Sequence, residues 1–461
     1  MQKVLALLMV LWWVLAPQGK GSAVSVIELL DQSGKITSAL TDGDLVSLRL
    51  SLESAAPADT VVEFALSGAA SPSAACTIPQ GQSACPTEPC RAYGWHWSTS
   101  DRGGGQPQQT RQVRASLDGS GLAESLSLTV RPRPVILVHG FLSDFTAWSN
   151  YLGPQGYLSL AGLPVYAVGD GQVAGTMKTG NIAEPASPTN TIAQNAEILA
   201  QYIQNVKEQT GAQQVDLIGH SMGGLISRYY IDRLMQTRDV AQLIMLGTPS
   251  LGSDCAILPA ALGFYYPTVL EIRSSYMTQV FNQQIKLRRG VPFFALAGTR
   301  ITSPVGSPCT EIPNDMVVSV RSVASINLTT AETPILHVEM NTSPEIFMDY
   351  VLPLLQRGAA ESWEESDPAA NLGGEEPLQF SRVYTGHVNP GESSEEVIEL
   401  EPGLSVANFG LYDPSGSLEV QVTGSSGKQI VLDAAKNGLI TVADPATLVS
   451  MGYGFENPRP G

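Results

Sequence analysis

Residues 215–235 read VDLIGHSMGGLISRYYIDRLM, and the fold is decided there. Val215–Ile218 is a short apolar run, and Gly219-His220-Ser221-Met222-Gly223 is a turn. Met222, Leu225, Ile226, Tyr229, Tyr230 and Leu234 then recur at helical spacing. A G-x-S-x-G turn between a strand and a helix is the setting that presents a serine as a nucleophile. So sharp a turn strains the serine backbone and brings the residues two before and two after it together. Only small residues fit there, and Gly219 and Gly223 supply them. The turn lifts the Ser221 hydroxyl above the sheet edge and aims the first helical N–H groups at any negative charge beside it. The pattern by itself recurs by chance, so its context decides.

Outward from this stretch, residues 132–357 alternate strand and helix signals. Strands are expected at 134–138, 165–168, 215–218, 243–246 and 293–297. A helix is expected from Thr191 to Gln209, with Ile192, Ala196, Leu199, Ile203 and Val206 on one face and Gly211 ending it. Ser343-Pro344 opens a last helix to about Leu355. The alternation implies an α/β class, a mostly parallel sheet with helices on both faces and ligand-binding loops at the strand C-termini. Residues 24–131 instead carry short β-rich runs at 24–30, 45–52, 60–66, 112–117 and 125–130, split by turn signals such as Thr41-Asp42-Gly43-Asp44. That spacing suggests an immunoglobulin-like β-sandwich. The Gly/Pro/Cys-rich stretch 71–107 reads as a long loop, with Trp95, His96 and Trp97 read as packing it onto its own domain in preference to forming a ligand-contacting tip. Residues 358–378 form an acidic linker, and 379–461 return to strands, expected at 383–386, 397–400, 418–422 and 429–432. This makes a second small all-β domain.

The chain has 461 residues and a formal net charge of −17, which argues against nucleic acid or an anionic membrane as an electrostatic partner. Lys3 precedes an apolar run, Val4–Leu15, too short to span a bilayer, and small residues follow at Ala16 and Gly21-Ser22-Ala23. Residues 1–23 are therefore expected to be a signal peptide. No later stretch is apolar for long enough to be a membrane helix, so an exported, soluble mature protein is expected, extracellular, periplasmic or at the cell surface. Export permits disulfides. Of the five cysteines, Cys255 and Cys309 both fall in the α/β region and are expected to pair. Two of Cys76, Cys85 and Cys90 could pair, with the odd one left free.

The strand at 135–138 runs into His139-Gly140-Phe141-Leu142. In such a fold this loop lies beside the serine turn, and the Phe141 and Met222 N–H groups form an oxyanion hole. His139 and His220 are read as structural. The general base must arrive later in the chain. Of the five histidines only His337 lies between the last expected sheet strand and the final helix, since His387 falls in the C-terminal domain and His96 in the N-terminal one. The acid should follow the strand at 293–298. Asp315, before an apolar β-branched pair, is the choice, with Glu311 and Asp254 as alternatives and Glu339 too close to His337. No cofactor or metal is called for.

PVILVHGF at 134–141, GHSMGG at 219–224, LGTPSLGS at 246–253 and NDMVVS at 314–319 resemble, in order, segments of secreted bacterial lipases of the α/β-hydrolase superfamily. The resemblance covers roughly half the chain. It implies Ser221 as nucleophile, Asp315 as acid, His337 as base, and Phe141 and Met222 as oxyanion donors. Met316 stands after Asp315 where many relatives have glycine. GHVNPGES at 386–393, ELEPG at 399–403 and LYDPSGSLEVQV at 411–422 resemble, more weakly, a C-terminal β-sandwich module of secreted bacterial peptidases, which implies a secretion, folding or adhesion accessory. An apolar insertion between Leu251 and Arg289 reads equally as a mobile lid or as a fixed cap. The expected function is hydrolysis of lipid esters through an acyl-enzyme. The rivals are a short-chain or polymer esterase and a non-catalytic surface-binding protein that keeps the fold.

Overall fold

In the computed structural model, six strands form one parallel sheet: β1 Val135–Val138, β2 Val165–Ala167, β3 Val215–His220, β4 Val240–Leu246, β5 Phe293–Gly298 and β6 Thr330–Thr333. Their spatial order is β2-β1-β3-β4-β5-β6. The structure describes residues 24–67, 73–97, 107, 109–118, 124–181, 188–253, 267–305, 307, 309, 311–326 and 330–357. Of the C-terminal part it describes 388–400, 402–404, 406–412, 418–424, 426–427, 429–430, 439–443, 450–458 and 460. The expected signal peptide, the linker, Asp254, Cys255, residues 254–266 of the apolar insertion, the expected strand at 383–386 and His387 lie outside them.

The two-residue period of the strands sorts their side chains onto two cores. Ile136, Val138, Leu217, Leu243, Met245 and Ala295 pack with Ile192, Ala196, Leu199 and Ile203 of helix α1 (Ile192–Thr210) and with Leu225 and Ile226 of helix α2 (Met222–Tyr229). Val135, Leu137, Ile218, Ile244, Leu246 and Leu296 face the other way, against Trp148, Leu158, Met340, Phe347, Val351 and Leu355. This is the α/β-hydrolase arrangement. The chain reverses strand order between β2 and β3, so the loops leaving β1 and β3 are neighbours at the C-terminal edge, where such sheets bind ligands. Helix α1 starts at a reciprocal capping box, Thr191 with Gln194, and stops where Gly211 takes the left-handed conformation at φ 73°. Strand β6, which is not among the strands expected from sequence, completes the sheet beside β5.

The described chain divides into two compact units. One holds residues of 24–38, 46–90 and 112–128, the other those of 39–45, 91–111 and 129–461, so the division interleaves with the expected boundary near 131. In the first unit, Val24–Leu30 pairs antiparallel with Ile36–Thr37 and Leu45–Leu52, which pairs in turn with Ala84–Pro86. Thr60–Leu66 pairs with Ala74–Ile78 and Thr110–Leu117. The disulfide Cys76–Cys85 joins these two groups of strands, and Cys90 is free. Strands Ala74–Ile78, Ala84–Pro86 and Cys90–Arg91 correct the expectation of a long loop over 71–107. They are five, three and two residues long, so their alternation reads weakly. Trp95, His96 and Trp97 are buried, but they fall in the second unit, where Trp97 packs with Val135, Leu137 and Trp148, and not among the strands of the first.

In the second unit, residues 39–45 and 91–97 bond to the base of the parallel sheet. Buried Arg133 spans Asp42 on one side and Asp216 of β3 on the other, with Nε 3.1 Å from Asp216 Oδ1. Burial alone would lower the Arg133 pKa; the two carboxylates outweigh it and hold the guanidinium protonated. Asp42 also accepts the His96 N–H at 2.7 Å. In the C-terminal part, Val406–Tyr412, Ser450–Glu456 and Leu439–Ala443 form an antiparallel sheet. The expected strand at 397–400 forms no strand and is largely exposed, and the one at 418–422 is reduced to Val422–Thr423.

Candidate active site

The serine turn adopts the strained geometry its sequence requires. Ser221 has φ 53° and ψ −128°, far from the ordinary basins, and such backbones cost about 1–3 kcal/mol. Its neighbours make this possible. A Cβ on Gly219 would lie 2.6 Å from the Gly224 nitrogen, and one on Gly223 would lie 2.1 Å from the Val138 carbonyl oxygen. The Ser221 N–H donates to the Leu246 carbonyl of β4 at 2.9 Å, which pins the turn to the next strand.

His337 and Asp315 meet. The His337 Nδ1–H donates to Asp315 Oδ2 at 2.8 Å, and the two are 5% and 0% exposed. A second bond ties their backbones, from the His337 N–H to the Asp315 carbonyl at 3.0 Å. The other carboxylate oxygen, Oδ1, accepts the Val317 and Val318 N–H groups at 2.9 and 2.6 Å. The carboxylate is therefore oriented on both oxygens, and it fixes the imidazole in the tautomer that leaves Nε2 bare. Met316 takes the left-handed backbone, φ 79°, that a glycine would favour, and Asn314 Oδ1 holds its N–H at 3.0 Å. Glu311, an alternative acid, is engaged by Arg321 and by Ser319 Oγ. Glu339 caps its own turn by accepting the Leu336 N–H.

Three glycines at strand ends make room for these three residues. A Cβ on Gly140, after β1, would lie 2.7 Å from Ser221 Cβ. One on Gly247, after β4, would meet His337 Nδ1 at 2.9 Å, and one on Gly298, ending β5, would meet Asp315 Cβ at 2.7 Å. Because Gly247 adjoins Leu246, which holds the Ser221 N–H, the imidazole and the serine turn share one support. Of the three, only Gly140 was singled out from sequence. Gly247 and Gly298 each end an apolar strand, and that position was the available signal.

The loop after β1 lies against the serine turn, as the close approach of Gly140 to Ser221 shows. Among the described residues, neither the Phe141 nor the Met222 N–H is bonded to another group. His220 and His139 are occupied elsewhere. The His220 Nε2–H donates to the His337 carbonyl at 2.9 Å, which supports His337 from behind. Burial, and then the neighbouring His337, press the His220 pKa down to about 3, and burial presses that of His139 down to about 4. Cys309 is disulfide-bonded, while its expected partner, Cys255, lies outside the described residues. Among the described residues no cluster of three His, Cys, Asp or Glu is placed to hold a metal ion.

A family model described as the PGAP1-like alpha/beta domain matches residues 183–333, a span that includes Ser221, Met222 and Asp315 and ends before His337. Triacylglycerol lipases from Pseudarthrobacter phenanthrenivorans and Burkholderia plantarii are each 35% identical over 127 residues, 27% of this chain and 35% and 31% of theirs. The chain thus spans about a third of the length of the curated relatives it matches. Among solved structures, the mature form of a Bacillus licheniformis lipase is 20% identical with a TM-score of 0.39, over 48% of this chain and 91% of that one. Its propeptide form is 16% identical with a TM-score of 0.43, over 71% and 70%.

Proposed function

We propose that this chain is a carboxylic-ester hydrolase acting on lipid esters. The observation that carries the proposal is the buried Asp315–His337 bond beside a strained, glycine-cleared serine turn. Ser221 Oγ attacks the ester carbonyl while His337 Nε2 takes its proton. Asp315 holds Nδ1–H and stabilises the imidazolium. The negative oxygen of the tetrahedral intermediate is received by the Phe141 and Met222 N–H groups, each worth about 3–4 kcal/mol of barrier by analogy with measured oxyanion donors. His337 returns the proton to the leaving alcohol, and the same sequence with water frees the acid. The lipid substrate class is supported by the names of the two matched relatives, triacylglycerol lipases. Lys3 and the apolar run after it support export of the mature chain.

The test is hydrolysis of p-nitrophenyl esters of rising acyl length by the purified mature chain, beside Ser221→Ala. Turnover by the wild type with a drop of roughly 10⁶ in kcat for the variant is expected. A long-chain optimum supports lipid esters, and a short-chain optimum moves the substrate to small esters. A folded wild type inert towards every ester defeats the proposal.

A further inference from the structure

The described residues of the segment between β2 and α1 supply nothing to the three proposed catalytic residues, yet they grip the loop after β1 at three points. Thr179 is 1% exposed. Its carbonyl accepts the Leu142 N–H at 3.0 Å, and its hydroxyl donates to the Ser143 carbonyl at 2.8 Å. With its own hydrogen so used, the hydroxyl oxygen is left to accept from His139 Nδ1–H at 3.2 Å. Residues 139, 142 and 143 bracket Phe141. Leu142 itself sits at φ 50°, a conformation that a bulky L-residue keeps only when its surroundings impose it. Thr179 is anchored in turn from a rigid element. Asn195, fully buried in α1, accepts the Lys178 N–H on Oδ1 at 2.9 Å and donates Nδ2–H to the Lys178 carbonyl at 3.3 Å.

We propose that Thr179 is the positioning residue of the oxyanion hole, holding the segment from His139 to Ser143 so that the Phe141 N–H points at the developing charge over Ser221. The inference rests on the reading of Phe141 as an oxyanion donor. A donor stabilises the transition state only when it is aimed where the oxygen becomes negative, and that aim is set by the residues behind it. Loss of the Thr179 hydroxyl leaves the Ser143 carbonyl without that donor and leaves His139 Nδ1 with only the Gly140 carbonyl, at 3.3 Å, so that the Leu142 N–H bond to the Thr179 carbonyl alone ties the two segments.

The experiment compares an ester with its thionoester, in which sulfur accepts N–H bonds poorly, so that the oxygen-over-sulfur preference gauges the hole. Wild type, Thr179→Val, Thr179→Ser and Ser221→Ala are assayed in parallel. For Thr179→Val, kcat on the ester is expected to fall about 10–100-fold, the loss typical of groups that orient a site from behind. KM should stay within about twofold, as for an interaction made only in the transition state. The oxygen-over-sulfur preference should fall with kcat, and the pH profile should not move, since the Asp315–His337 pair is untouched. Thr179→Ser, which keeps the hydroxyl, should restore both. Should Thr179→Val fail to fold, Asn195→Ala tests the same chain of bonds and carries the same expectation. An unchanged preference in the variant that folds overturns the inference and leaves the ester-hydrolase reading standing. A wild type that turns over neither substrate, like Ser221→Ala, overturns both.

Discussion

Ser221 and Met316 stand at the two corners of the site and share one unusual property, a positive φ on a residue with a side chain. They are held there by different means. Around Ser221 the means is clearance: Gly219 and Gly223 let the backbone of α2 close onto β3 and onto the Val138 carbonyl. Around Met316 it is hydrogen bonding. Asn314 Oδ1 takes the Met316 N–H, and Asn314 Nδ2 donates to Ser307 Oγ at 2.9 Å and to the Glu311 carbonyl at 2.8 Å. The Met316 side chain is buried against Leu336. A turn held by clearance must write glycines into its sequence. A turn held by polar side chains tolerates a methionine and leaves no such mark.

Gly223→Ala should break the first corner outright. The added carbon would sit 2.1 Å from the Val138 oxygen and 2.8 Å from the His139 oxygen, both main-chain atoms that cannot rotate away. Separation of β1 from α2 is expected to cost about 3 kcal/mol or more in urea unfolding, at the upper end for overpacked cores. Displacing Ser221 by about 1 Å should lower ester turnover about 100-fold. A variant with wild-type stability and activity would show that clearance is not what holds the turn.

The two histidines bordering the serine turn give it a pH dependence of its own. His220 and His139 are pressed down to about 3 and about 4 by burial, against an unfolded value near 6.5. With folded values below the unfolded one, protons bind the unfolded chain first as pH falls. Their contribution to stability is full above about pH 6.5 and is lost on acidification, by about 1.4 kcal/mol per pH unit per histidine until the folded values are reached. Unfolding midpoints followed from about pH 7.5 to about pH 5 should therefore drop, and less steeply in His220→Gln. An unchanged slope in that variant would remove His220 from the account.

How much could be read beforehand follows the same division. The serine turn, the Phe141 loop, helix α1 and the strands β1 to β5 announce themselves through glycines, apolar runs and caps. His337 was reached by elimination among five histidines, and Asp315 by its place after a strand. Strand β6, Thr-Ala-Glu-Thr, is half-exposed at the sheet edge and carries no apolar run, so periodicity passes over it. The strands within 74–91 are two to five residues long, below the length at which alternation is legible. Thr179 acts through one hydroxyl and one carbonyl, and nothing in a Lys-Thr-Gly stretch marks that. In each case the unread part depends on partners distant in the chain.

The smallest effect is also the sharpest test of the second corner. Asn314→Ala removes the acceptor for the Met316 N–H, and Met316→Gly removes the side chain that makes φ 79° unfavourable. Each alone should destabilise the protein. The first leaves buried polar groups unpaired at about 1–3 kcal/mol, and the second gives up the burial of a large apolar side chain at about 1.5–3 kcal/mol. Together they should cost less than their sum, because glycine no longer needs Asn314 to hold it in the left-handed region. The coupling in a double-mutant cycle is expected to be about 1 kcal/mol, the order of the conformational penalty for a non-glycine residue there. Additivity within about 0.3 kcal/mol would mean that Asn314 serves only Ser307 and Glu311. The backbone of Met316 would then be set by the Asp315 carboxylate, whose Oδ1 holds the next two N–H groups, and the acid itself would be the organiser of its own turn.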